Sequence, residues 1–258
     1  MPDDKTITEA VKTKYDALAR GKGRSCCGSE PCRPGADVVD MSRGYDASEL
    51  AQVPEGARMG LGCGNPTARA EIHTGEVVVD LGCGAGIDCF LAAQKVGPQG
   101  RVIGVDMTES MLARARENAR SGGYTNVEFR QGQIESLPVP SGSADLVVSN
   151  CVINLAPDKK PVFGEIFRVL RPGGRFCVSD VVARGQIPPD IRRNMELWAG
   201  CVAGALEKEE YLATARNAGF TDLVIKSEVD YDYQKTDAFS LASITLVGRK
   251  PTTASGTA

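Results

Sequence analysis

Nine cysteines stand in a chain of 258 residues: Cys26, Cys27, Cys32, Cys63, Cys83, Cys89, Cys151, Cys177 and Cys201. Thiolates are soft nucleophiles and soft ligands, so such a chain is equipped to hold a thiophilic centre or to cycle between thiol and disulfide. The number is odd and the spacing scattered, which in a reducing compartment is no disulfide framework. Each cysteine is then either a small buried hydrophobe or a working thiol. Three occupy positions for which core packing gives no reason. Cys63 lies in Gly60-Leu61-Gly62-Cys63-Gly64-Asn65-Pro66, Cys151 follows Ser149-Asn150, and Cys201 lies in Trp198-Ala199-Gly200-Cys201-Val202. Cys151 ends an expected strand, where open α/β sheets place their ligands. Three thiolates from distant segments can converge on one soft ion. Structural zinc takes a fourth ligand and is usually pre-formed by local Cys-x-x-Cys pairs, which are missing, whereas a pyramidal trivalent centre such as arsenic is satisfied by three. Cys83, Cys89 and Cys177 read as small turn or core residues and Cys32 as an exposed spare.

A second constellation is a nucleoside site. Val77-Val78-Val79-Asp80-Leu81-Gly82-Cys83-Gly84-Ala85-Gly86 is an apolar strand entering a glycine-rich turn at a helix start. Glycine lets backbone bend there and approach a ligand closely. Val102 to Val105 reads as the next strand and ends at Asp106, about twenty residues on, where a carboxylate can accept ribose hydroxyls. A dinucleotide fingerprint needs a third glycine where Ile87 stands. Asp80 suits the ammonium of a methionine moiety better than a pyrophosphate. Both departures favour S-adenosylmethionine over NAD. The only histidine, His73, precedes the first strand at the end opposite the glycine turn, so it reads as a surface residue rather than a general base.

The elements that must position these groups follow from periodicity. Short β-branched runs at Val77 to Leu81, Val102 to Val105, Val127 to Arg130, Leu146 to Ser149 and Arg175 to Asp180 alternate with helical patterns, the mark of a parallel sheet built from βα units. Helices are expected at 87–96 and 109–120, the second opened by Thr108 and closed by Gly122-Gly123. Leu223 to Tyr233 and Ser243 to Arg249 read as an antiparallel hairpin. Ile7, Val11, Tyr15 and Leu18 share one face of an N-terminal helix. The expected layout is an arm of cysteine-bearing loops over 1–70, an α/β domain over 71–250 with a substrate segment at 185–220, and a disordered tail over 251–258. The hydrophobic content of 42% supports one sizeable core. A net charge of -3 gives no attraction to nucleic acid. No apolar stretch reaches the roughly eighteen residues of a membrane span, and Met1 to Lys5 lacks a signal peptide's apolar core, so a cytoplasmic, soluble protein is expected.

The stretches Val77 to Gly86, Val102 to Met107, Ala144 to Leu155 and Leu170-Arg171-Pro172-Gly173-Gly174 resemble the successive motifs of class I methyltransferases. The resemblance implies a Rossmann-like, mostly parallel seven-stranded sheet with an antiparallel last strand. It implies that Asp106 binds ribose and Met107 packs on adenine. The expected cofactor contacts are Asp80, Gly82, Cys83, Gly84, Asp106, Met107, Gln133, Ile134 and Asn150. Gln133-Ile134 departs from the acidic residue that many members direct at the adenine amino group.

A narrower resemblance is to the arsenite methyltransferases, carried by Ser149-Asn150-Cys151-Val152-Ile153-Asn154-Leu155-Ala156-Pro157-Asp158, Trp198 to Leu206, and Gly60 to Gly64. It implies that Cys63, Cys151 and Cys201 hold arsenic(III), supplied as arsenite or a thiol conjugate. It also implies an accessory thiol in the N-terminal arm, for which Cys26 and Cys27 are adjacent candidates and Cys26 is preferred. The chemistry implied is methyl transfer from S-adenosylmethionine, then reduction of arsenic by a cysteine pair that thioredoxin or glutathione regenerates, in a monomer. Two other readings compete: a small-molecule C- or N-methyltransferase with incidental cysteines, and a non-catalytic metalloid-binding thiol protein.

Overall fold

The structure is a computed structural model that describes residues 3–21, 44–231 and 239–252. Cys26, Cys27 and Cys32, Tyr233 and residues 253–258 of the tail lie outside the described residues. Seven strands form one sheet: β1 (Val77–Leu81), β2 (Arg101–Asp106), β3 (Val127–Gln131), β4 (Ala144–Asn150), β5 (Leu170–Gly185), β6 (Thr221–Tyr231) and β7 (Phe239–Arg249), in the order β3-β2-β1-β4-β5-β7-β6. β1 to β5 are parallel neighbours, and β7 runs antiparallel to both β5 and β6. This is the Rossmann-like sheet expected from the alternating apolar runs. The chain order reverses between β1 and β4, and their carboxyl ends open the crevice in which such sheets bind ligands.

Nine α-helices among the described residues cover the sheet and its ends. They are α1 (Asp4–Ala19), α2 (Ala47–Ala51), α3 (Pro66–Arg69), α4 (Ile87–Val96), α5 (Glu109–Ser121), α6 (Lys159–Val169), α7 (Pro189–Arg192), α8 (Met195–Trp198) and α9 (Lys208–Asn217). α1 is capped by Asp3, which accepts the Thr6 N–H at 2.9 Å, and it packs on α5 and α8, burying Ile7, Val11 and Leu18. Thr108 is at the N-cap of α5 as expected, but its hydroxyl caps no N–H of the helix. Asp106, two residues earlier, accepts the Thr108 N–H instead, at 2.8 Å. The other end behaves as its glycines dictate, with Gly123 in the left-handed region at φ 70°.

Two strands outrun the sequence pattern. β5 begins at Leu170 and continues to Gly185, and β7 begins at Phe239, because Val181 to Gly185 find antiparallel partners in Phe239 to Ser243. Prolines and glycines at 172–174 and 185 hid this continuity, since breakers end a strand only when no neighbour pairs with the backbone beyond them. The extension carries Val181, Ala183, Phe239 and Leu241 into an apolar cluster separate from the two that line the sheet faces, and Cys63, Cys151 and Cys201 belong to it. Among the described residues no helix is long and apolar enough to cross a membrane.

The segment bearing Cys63 is tied down at the far end of the sheet. Arg175 of β5 is buried, donates to both Glu76 carboxylate oxygens at 2.7 and 2.9 Å, and also bonds the Ala70 and Glu71 carbonyls just beyond α3. Removing one member of such a pair strands a buried charge. Glu76→Ala is therefore expected to cost about 3–5 kcal/mol in urea unfolding. A loss below about 1 kcal/mol would show that this anchor does not hold the segment.

Candidate active site

The turn between β1 and α4 is shaped by its glycines. Gly82 has φ 62°, and a Cβ there would lie 2.4 Å from a Val152 methyl, so only glycine fits. Gly84 has φ 51° and faces open space, with nothing within 4 Å of where a Cβ would stand. Asp106, at the tip of β2, accepts the Gly84 N–H at 3.0 Å through one carboxylate oxygen while the other takes the Thr108 N–H. The strand tip and the turn are thus locked together. Burial pushes the Asp106 carboxyl up, and these two N–H groups partly offset it. Asp80 lies deeper, only 2% exposed, and accepts the Cys89 thiol at 3.2 Å. Burial, with Asp88 and Asp106 nearby, holds it well above the usual carboxylate range. Open space over a glycine turn, flanked by carboxylates that a cation and ribose hydroxyls would satisfy, fits S-adenosylmethionine. Cys83 is buried under the turn, where its sulfur and that of Cys89 close over Gly104. Met107 is half-buried beside the third apolar cluster, Ile134 packs partly buried on the main core, and Gln133 is exposed beyond β3.

Asn150, at the tip of β4, joins this region to the thiols. Its carbonyl oxygen accepts the N–H groups of Cys63 at 3.0 Å and Gly64 at 3.3 Å. Its amide lies 2.8 Å from both the Gly64 carbonyl and the Tyr45 hydroxyl and 3.3 Å from Asp88, which in turn accepts the Tyr45 hydroxyl at 2.7 Å. The chain can come this close only because glycine flanks Cys63. A Cβ on Gly62 would sit 2.6 Å from the Asn150 amide nitrogen, and one on Gly64 2.7 Å from the Ser179 hydroxyl. From the other side Ser243 of β7 donates to the Cys63 carbonyl at 2.7 Å. Cys63 is clamped between β4 and β7 by its own backbone.

Cys63, Cys151 and Cys201 converge, each no more than 6% exposed. The packing role that the sequence gave no reason for is therefore real, because all three thiols sit inside an apolar cluster that also holds Trp198. The Cys63 and Cys151 sulfurs and an Asp180 carboxylate oxygen lie within 4.8 Å of one another. The Cys201 thiol donates to the Cys151 carbonyl at 2.9 Å. Cys151 and Cys201 both have φ 62°, a left-handed conformation that costs a non-glycine residue roughly 1 kcal/mol or more and that clusters at functional sites. Hydrogen bonds with Cys201 and Cys63, reinforced by burial, push the Cys151 thiol well above its ordinary value. For Cys63 the bond from Cys151 pulls downward, but burial and the neighbouring Asp180 and Cys201 carry the net shift upward. Both shifts favour the neutral thiol, which avoids buried negative charge.

A model of a methyltransferase domain matches residues 72–219. An arsenite methyltransferase of Halobacterium salinarum is 44% identical over 266 aligned positions, which cover 96% of this chain and 68% of that protein. The chain belongs to the arsenite methyltransferase family. An arsenite methyltransferase of Aquipseudomonas alcaligenes is 44% identical over 67% of this chain, which spans about half, 52%, of that longer protein. The crystal structure of an arsenic(III) S-adenosylmethionine methyltransferase from Chlamydomonas reinhardtii superposes with a TM-score of 0.72 at 39% identity, covering 79% of this chain and 73% of that one.

In this member of the arsenite methyltransferase family, several groups around the thiols escaped the sequence reading. Asp180 ends the run Val178-Ser179-Asp180, so the rule that drew attention to Cys151 at a strand end could have found it too. Its Oδ2 accepts the Asn154 N–H at 3.1 Å and the Tyr211 hydroxyl at 3.2 Å, and its Oδ1 accepts the Val181 N–H at 3.0 Å. Lys159 is buried and donates to the Asn154 and Ala156 carbonyls with its ammonium 5.5 Å from the Trp198 ring. Burial lowers its pKa against the pull of Asp180, and burial likewise raises that of Asp180 against the pull of Lys159. Tyr211 and Lys159 carried no sequence signal because their partners are set only by folding. Trp198 donates its indole N–H to the Leu155 carbonyl at 3.2 Å, so it is both a packing anchor and part of the thiol cluster. His73 is exposed, as expected.

Asn150→Ala would leave the Cys63 and Gly64 N–H groups without their acceptor. We expect a loss of about 2–3 kcal/mol in stability, the scale of buried polar groups left unpaired. Faster alkylation of Cys63 in the native protein, read by peptide mass spectrometry, should accompany it. An unchanged Cys63 labelling rate would show that Asn150 does not hold the segment.

Proposed function

We propose that the chain methylates arsenic(III), using S-adenosylmethionine as donor and Cys63, Cys151 and Cys201 as the ligands of the metalloid. The observation that supports this most is the convergence of three free, buried thiols from three distant segments beside the cofactor turn. Exchange at neutral arsenous acid balances without charge: each As–O bond replaced by As–S takes one S–H and releases one water, so three exchanges bury a neutral arsenic tris-thiolate with no charge left to desolvate. Thiolate ligands also leave the arsenic lone pair free. Asp80 and Asp106, with Gly82 and Gly84, would hold the cofactor, and Met107, Gln133 and Ile134 would border its adenine. The bound cofactor supplies an electrophilic methyl group on a sulfonium. Asn150, tied to both regions, sets where Cys63 stands relative to the cofactor turn, and alignment of the lone pair with the methyl is what the protein contributes to the rate.

Methylation takes two electrons from arsenic. In the proposed cycle two cysteines return them by closing a disulfide, with Cys26 or Cys27 of the 1–70 arm as accessory thiol and thioredoxin or glutathione as the final reductant. The proposed setting is a cytoplasmic monomer whose 71–250 domain carries the cofactor site and two of the arsenic ligands, Cys151 and Cys201, with Cys63 supplied by the 1–70 arm.

The test is incubation of the full chain with arsenite, labelled S-adenosylmethionine and a thiol reductant, with methylated arsenicals separated by chromatography. The expected product is methylated arsenic, with turnover reduced on the order of a hundredfold or more in Cys63→Ser, Cys151→Ser and Cys201→Ser, the scale of losing a group that acts on the transition state. Cofactor affinity should be unchanged in these variants. Cofactor binding without any methylated arsenic would refute the reading, and full activity of the three variants on an organic acceptor would replace it.

A further inference from the structure

The sequence offers three thiols and no fourth donor, but the fold adds one. An Asp180 carboxylate oxygen lies within 4.8 Å of the Cys63 and Cys151 sulfurs, and all three residues are buried. Asp180 is held in place as metal-ligating carboxylates are, by bonds from Val181, Asn154 and Tyr211 that occupy three of its roughly four acceptor positions and leave one. Cys201 closes the group, its thiol bonded to the Cys151 carbonyl.

Arsenic(III) and a divalent d10 cation make different demands on such a cluster. Arsenic takes three soft donors and keeps its lone pair. Zinc takes four donors in a tetrahedron, tolerates thiolate and carboxylate together, and needs bonds of about 2.3 Å to sulfur and 2.0–2.2 Å to oxygen. Cys63, Cys151 and Asp180 already bring donor atoms within 4.8 Å of one another, and the Cys201 thiol, bonded to the Cys151 carbonyl at 2.9 Å, completes a tetrahedron by turning from that carbonyl toward them. The ammonium of Lys159, attracted to both Asp180 and Cys201, offsets part of the negative charge of a three-thiolate, one-carboxylate set.

We propose that the thiol pocket is also a site for a divalent thiophilic cation of the zinc and cadmium class, held by Cys63, Cys151, Cys201 and Asp180, and that such a cation excludes arsenite. Binding displaces three thiol protons to solvent and involves no electron transfer. The proposal rests on the reading that these cysteines hold arsenic, and Asp180 is what separates the two ligands, being required by the cation and not by arsenic.

Cadmium alone is the probe, titrated into the reduced full-length protein without arsenite or cofactor and followed by sulfur-to-cadmium charge-transfer absorption. A Cys26→Ser, Cys27→Ser, Cys32→Ser variant removes the thiols of the N-terminal arm from the signal. The expected result is one cadmium ion per chain in that variant, released stoichiometrically by arsenite, with affinity at least about tenfold weaker in Asp180→Asn while arsenite binding changes far less. Cadmium absorption that arsenite does not reverse would place the ion elsewhere, and unchanged affinity in Asp180→Asn would remove the carboxylate from the site. Either result overturns the proposal. S-adenosylmethionine binding by Asp180→Asn checks its fold. If that variant fails to fold, cadmium-edge X-ray absorption of the unaltered protein decides, three sulfurs and one oxygen supporting the site and sulfur alone contradicting it. Methylation of arsenite in metal-free buffer is read separately, so failure of the cation site does not pass for failure of the arsenic site.

Discussion

The side chain of Asn150 is the constraint on which the rest of the site depends. It stands at the tip of β4, at the point where the sheet order reverses, and one carboxamide serves two regions. Its oxygen fixes the backbone of Cys63 and Gly64, while its nitrogen reaches Tyr45 and, in the first turn of α4, Asp88. Asn150 is half-buried, and partial removal from water strengthens these bonds and adds to the cost of breaking them. The glycines on either side of Cys63 are the consequence, since any side chain at Gly62 would occupy the space of the Asn150 amide. A segment rich in glycine and remote in sequence from the sheet is thereby held as firmly as a strand.

Charge explains the chemistry of the pocket as directly as geometry does. Thiols are stable to bury in an apolar cluster when protonated, and in the proposed reaction their exchange with a neutral arsenic hydroxide would create no charge. The same burial keeps Asp80 above the usual carboxylate range until a cation arrives beside it. The ionisable groups that remain, Asp180 and Lys159, lie at the margin of the thiols and are held by hydrogen bonds of their own. Strain at Cys151 and Cys201 belongs to this picture: both hold a left-handed backbone inside the apolar cluster, where the Cys151 N–H bonds the Ser179 carbonyl of β5 at 2.8 Å and the Cys201 N–H the Trp198 carbonyl at 3.0 Å.

Much of this was legible in the residues. The apolar runs foretold all seven strands, including the edge strand β6, which has no fully buried residue among 221–230, and the expected glycine turn and Asp106 lie bonded together at the crevice of the sheet. Cys63, Cys151 and Cys201 stood out through their neighbours, and the fold brings them together. What periodicity could not show were features decided by long-range pairing: the continuation of β5 past Asp180, the non-capping hydroxyl of Thr108, and the buried partners Tyr211 and Lys159. Asn150 was read as a cofactor contact, and the bonds of its side chain to Tyr45, Asp88 and the Cys63 segment were not foreseen, because they join residues remote in sequence. The roles of Cys26 and Cys27 fall outside the described residues and rest on family resemblance.

The central claim is that one dry pocket holds arsenic through sulfur alone. Arsenic-edge X-ray absorption on the reduced protein with one equivalent of arsenite measures this directly. The account predicts three sulfur neighbours and no oxygen, falling to two sulfurs when any one of Cys63, Cys151 or Cys201 is replaced by serine. Oxygen neighbours in the unaltered protein, or three sulfurs persisting in all three variants, would contradict it.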